Sequence, residues 1–186
     1  ALNEEQIAKA KVNLDSISGI EVKATLKRYV QHEKTLAHVL GYVGDISPDE
    51  IRRDKLLLEL QNSQIGKTGI EKEFDYILRG KPGIQTQERD VKGKLVRILD
   101  TQGAEDGKDI YLTIDQKLQD HLFKFFENRR GALVALEPKT GLVRALISSP
   151  SFNPNILNSI VDTDEVESLF SNKESPIFNR AISGQY

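Results

Sequence analysis

Two apolar runs, GALVALEP from Gly131 to Pro138 and LVRALISSP from Leu142 to Pro150, constrain this chain more than any other feature. They are nearly uninterrupted, as strands are when both faces are covered, and Lys139-Thr140-Gly141 between them supplies a tight turn. A hairpin of this kind cannot stand alone. It needs a helix on one face, which the preceding residues offer: Gln116 to Asn128 carries Leu118, Leu122, Phe125 and Phe126 as one apolar stripe, after a short strand IYLTI at 110–114. A helix beside a single hairpin still leaves strand edges to be paired, so this second part is expected to be incomplete at residue 186.

Upstream, the pattern changes. Asp100 to Asp109 is polar, glycine-bearing and aperiodic, and it divides the chain into parts spanning 1–108 and 109–186. In the first part, residues 3–14 have helical spacing and 20–30 alternate with a period of two, as in a half-buried strand. A helix over 33–40 should close at Gly41. Ser47-Pro48-Asp49-Glu50 has the cap, the first-turn proline and the reciprocal acid of a helix start, and 54–61 reads as a further helix. Another is expected from Thr68 to Arg79, stopped by Gly80-Lys81-Pro82-Gly83. Two strands, 84–91 and 94–99, should then fold back at Lys92-Gly93. The fold class is α+β.

Composition excludes several functions. With 26 basic and 28 acidic residues the net charge is −2, which argues against nucleic acid as a partner. The absence of cysteine removes thiol catalysis, disulfides and thiolate metal sites. His32, His38 and His121 lack metal-binding spacing, so no metal or other cofactor is expected. No apolar run reaches the length of a membrane span, and ALNEEQIAKAK resembles no signal peptide, so the chain reads as a piece whose anchor lies elsewhere.

Several motifs fail on context. Gly66-Lys67-Thr68 suggests a phosphate-binding loop, but the glycine that should stand four intervening residues earlier is Gln61. Lys67-Thr68-Gly69 and Lys139-Thr140-Gly141 both spell the KTG of β-lactam-reactive serine enzymes. One is a helix start and the other a hairpin tip, whereas that element must line an active site on a strand. Ser151-Phe152-Asn153 spells SxN in a loop. No serine is followed three positions later by lysine, so the matching nucleophile is absent.

Two stretches nonetheless resemble a known family. AHVLGYVG at Ala37 to Gly44, preceded by Arg28-Tyr29, and IGKTGIEKEFDYILRGKPG at Ile65 to Gly83, with Gly66, Gly69, Glu71, Asp75, Leu78, Gly80 and Gly83 in register, resemble the non-catalytic pedestal of class B penicillin-binding proteins of the elongation type. IYLTIDQKLQ, the hairpin and NRAISGQY resemble the first segments of the family's transpeptidase domain. The resemblance implies a serine D-Ala-D-Ala transpeptidase of cell-wall synthesis, acting through an acyl-enzyme on a peptidoglycan stem peptide, without cofactor and inhibited by β-lactams. Its nucleophile would lie just past Tyr186, so this chain should be inactive alone. The implied location is the periplasmic face of the inner membrane, and the implied partners are the cell-shape protein MreC and the glycan polymerase RodA.

Two residue-level expectations follow. Glu71 either closes a capping box with Thr68 or pairs with Arg28 or Arg97. A partner surface is expected at Tyr29, Leu57 and Leu58, because three successive leucines cannot all face one side of a helix.

Overall fold

The computed structural model describes residues 27–54, 57–58, 60, 64–126, 129–158 and 163–185. The helix expected over 3–14 and most of the strand over 20–30 lie outside these residues. Residues 27–30, the described end of that strand, have no regular structure.

The first part begins with α1 (Glu33–Leu40), which closes at Gly41 with φ 82°. Strand β1 (Val43–Asp45) pairs antiparallel with β2 (Gln64–Gly66), Val43 opposite Gly66. Between them lies α2 (Pro48–Arg53), opened by the expected capping box between Ser47 and Glu50. Leu57 and Leu58 form a 3₁₀ turn, with Leu57, Leu60 and Ile65 buried together against Ile46 and Ile51. An i to i+3 turn places Leu57 and Leu60 on one side, which is why Leu57 is core while Leu58 faces outward.

The helix expected over 68–79 is two, α3 (Gly69–Glu73) and α4 (Asp75–Leu78), broken at Phe74. Strands β3 (Ile84–Arg89) and β4 (Leu95–Gln102) form the expected hairpin, turning at Gly93 with φ 79°. Nearly every residue of this ribbon is exposed on both faces.

In the second part IYLTI is not a strand. It is tethered to a neighbour instead, Thr113 Oγ1 donating to Val143 O at 2.7 Å and Asp115 N to Arg144 O at 2.8 Å. Helix α5 (Gln116–Phe123) then tightens into a 3₁₀ turn, Lys124–Phe126. Of its expected apolar stripe, Leu118, Leu122 and Phe126 are half-buried and Phe125 is 62% exposed, and the one wholly buried residue of this face is Gln119. Strands β5 (Gly131–Leu136) and β6 (Val143–Ser149) form the hairpin turning at Lys139-Thr140-Gly141. Coverage of both faces holds in the second half of β6, with Ala145 and Ile147 buried on one face and Ser148 on the other, but not for β5, where Val134 and Leu136 are exposed. Short helices α6 (Pro154–Leu157), α7 (Thr163–Ser171) and α8 (Arg180–Ser183) follow. The residues on either side of 108 pack against one another: α1 meets α3 before it and β6, α5 and α6 after it.

Candidate functional site

The glycine-rich pedestal motif holds three backbone segments closer than side chains permit. A Cβ on Gly66 would lie 1.9 Å from Glu71 O, and one on Gly69, whose φ is +59°, 2.7 Å from Val39 O. Only glycine allows β2, the start of α3 and the end of α1 to meet in this way. Asp75 Oδ1 accepts from Gly66 N at 2.9 Å, and its other oxygen lies 3.3 Å from Arg79 Nη1. Gly80 ends α4, and Gly83 faces Gln102 and Ala104 across the base of the hairpin.

Glu71 takes the second of its expected roles. Thr68 gives no side-chain cap to α3, whereas Arg28 Nε is 3.0 Å from Glu71 Oε1. Arg97 is committed to Glu88 within the hairpin. Since Arg28 lies in an irregular segment, the pair ties that segment, not a strand, to α3. Burial raises the Glu71 carboxyl above its usual range, with Asp75 adding to the effect and Arg28 opposing it.

Lys67 is no phosphate ligand here. Its Nζ is 2.6 Å from Glu50 Oε2, and despite some burial Lys67 and Ser47 together hold Glu50 down to about 2. Among the described residues no cluster of His, Cys, Asp and Glu could hold a metal ion, and no helix is long and apolar enough to cross a membrane.

The arrangement that unites these elements is a polar joint, which sequence reasoning passed over as a loop. Side chains of the second part bond the main chain of residues 28–43. Gln119 Nε2 donates to Thr35 O and Leu146 O, each at 2.7 Å, while its Oε1 accepts from Leu146 N at 2.9 Å. Asn155 makes a reciprocal pair with Val30, accepting from its N–H at 2.8 Å and donating to its carbonyl at 2.9 Å. Asn158 Oδ1 accepts from Val43 N at 2.9 Å, and Ser151 Oγ donates to Lys34 O at 2.7 Å. Asn153, whose Oδ1 caps α6, sends its Nδ2 to Glu33. On the flank Asp120 accepts from Thr35 Oγ1 at 2.7 Å and lies 3.2 Å from His32 Nδ1. The signal that could have exposed the joint is the density of short amides in SFNPNILN, residue types that bond main chain readily.

Among the expected partner residues, Tyr29 and Leu58 are 67% and 55% exposed, and Leu57 is 8% exposed. The structure therefore corrects the expectation that Leu57 presents a docking surface.

A model of the "Penicillin-binding Protein dimerisation domain" matches residues 1–112. The peptidoglycan D,D-transpeptidase MrdA of Acinetobacter baumannii is 37% identical over 185 residues, covering 100% of this chain and 28% of that protein. Penicillin-binding protein PBP2 of Helicobacter pylori, in its complex with MreC, superposes with a TM-score of 0.79 at 28% identity, over 96% of this chain and 33% of that one. Pseudomonas aeruginosa PBP2 in complex with WCK 5153 gives 0.69 at 30% identity, over 88% and 32%. The chain thus spans about a third or less of the relatives it matches, corresponding to their N-terminal pedestal region. Their shared residues and fold show that this chain belongs to the penicillin-binding protein dimerisation-domain family.

Proposed function

We propose that this chain is the non-catalytic N-terminal portion of a peptidoglycan D,D-transpeptidase that cross-links the wall during rod elongation. Its pedestal positions the catalytic domain and binds cell-wall partners. The observation that carries this reading is the joint: a pedestal whose main chain is bonded by Gln119, Ser151, Asn155 and Asn158 forms one folded unit with the residues leading to the catalytic domain. The boundary between the two falls at 108/109. In support, Lys108 N still bonds Ile77 O of α4, whereas Thr113 and Asp115 bond β6.

On this reading the nucleophilic serine follows residue 186, the substrates are a stem peptide and, as inhibitors, β-lactams, and a membrane anchor precedes the pedestal on the periplasmic side. The partners are MreC and RodA, and the docking surface includes Tyr29 and Leu58. The test is twofold. A chain extended past residue 186 should be labelled covalently by fluorescent penicillin while the present chain is not; an unlabelled longer protein overturns the enzymatic reading. Titration with the periplasmic domain of MreC should show binding that Leu58→Glu abolishes at unchanged melting temperature. Binding without labelling would favour a stand-alone interaction module.

A further inference from the structure

The segment 174–184 has no regular structure before α8, yet it is fixed from two directions. From within the second part, the buried Arg180 guanidinium donates to Glu174 O at 2.6 Å and Ser175 O at 3.1 Å. Ser148 Oγ donates to Phe178 O at 3.1 Å and accepts from Arg180 N at 2.9 Å. From the pedestal, a single residue supplies both contacts: His38 Nε2 lies 2.9 Å from Pro176 O, and the His38 carbonyl accepts from Asn179 Nδ2 at 3.2 Å.

The second of these bonds reaches the start of α8 directly. Asn179 is its N-cap, accepting from Ala181 N at 3.1 Å. Because Pro176 O can only accept, Nε2 carries a proton and donates it, while Ser151 Oγ lies 3.5 Å from Nδ1 on the other side of the ring. Phe152 meets that ring edge to face at 5.3 Å and holds its orientation. Residues Phe178, Arg180, Ser183 and Gly184 in turn line an open cleft of about 480 Å³.

We propose that His38 is a positioning residue, the link through which α1 of the pedestal fixes the wall of this cleft formed by 176–184. The consequence for catalysis rests on the function proposed above, in which the nucleophile follows this segment.

Hydrogen exchange on the present chain tests the link itself. His38→Leu fills the site without a donor, and His38→Gln restores an amide donor. In His38→Leu the amides of Phe178, Ser183 and Gly184, which bond Ser175, Asn179 and Arg180, should exchange about tenfold faster relative to those of β6, and His38→Gln should recover most of the protection. Leu60→Ala, which damages the separate core beside β2, should leave 178–184 protected. Unchanged exchange in His38→Leu, failure of His38→Gln to restore protection, or equal loss in Leu60→Ala would overturn the proposal. In the chain extended past residue 186, His38→Leu should slow penicillin acylation at least about fivefold, His38→Gln should not, and equal rates would overturn the catalytic consequence. If the extended wild-type protein is never labelled, the function proposed above fails, and exchange alone decides the role of His38.

Discussion

At His38 a neutral imidazole occupies a place where a charge would be costly. Burial drives its pKa from 6.5 to about 4, with the charge of Arg180 acting the same way and the bond to Pro176 opposing it. Between those values the unfolded chain takes up a proton that the folded one refuses, so stability present above pH 6.5 is lost as pH falls toward 4. The loss amounts to about 3 kcal/mol. Melting curves from pH 7 to 4 should show that slope, and His38→Gln should flatten it. Glu71 presents the opposite imbalance, a buried carboxylate whose partner Arg28 is 40% exposed. Glu71→Gln removes a charge that burial disfavours and should change stability by less than about 1 kcal/mol. Arg28→Ala leaves that charge unpaired and should cost roughly 1–2 kcal/mol, discounted for solvent from the roughly 3–5 kcal/mol of a fully buried pair. Urea titration of both variants checks the asymmetry.

Where local chemistry closes within a few residues, the elements matched their sequence. Ser47-Pro48-Asp49-Glu50 starts α2, Gly41 closes α1, and Lys92-Gly93 and Lys139-Thr140-Gly141 turn two hairpins. Elements that depend on distant partners were misread. Thr68 and Glu71 have capping-box spacing, but Glu71 answers to an arginine 43 positions earlier (71 − 28). The stripe on α5 packs beside a buried Gln119, whose partners lie in α1 and β6, and no periodicity in 116–128 reports an amide with three such bonds. Glycine substitutions separate these classes. Gly66→Ala drives a Cβ to 1.9 Å from a fixed carbonyl and should cost about 3 kcal/mol or more. Gly93→Ala meets no atom within 4 Å and carries only the penalty of its positive φ, about 1 kcal/mol. Thermal melts should rank them in that order.

Across the whole molecule, the interlocking of the segments before and after residue 108 was not legible in the sequence, because a polar loop gives no pattern that says which main chain its amides will bond. Gln119→Leu strands both main-chain groups of Leu146 and removes the tie to the Thr35 carbonyl, at about 3 kcal/mol or more. Calorimetry should then resolve two transitions in the variant and a single one in the native chain. The direction of the bonding carries a further consequence for how such a protein can diverge. At Val30, Lys34 and Val43 the joint reads main-chain groups, carbonyls or N–H, rather than side-chain identity. A saturation library should therefore tolerate replacement of the exposed Lys34 while rejecting nearly every substitute for Gln119, Asn155 or Asn158. Where the joint reads main chain beneath an exposed side chain, as at Lys34, the sequence is free to drift over generations; at Gln119, Asn155 and Asn158 it is fixed letter by letter.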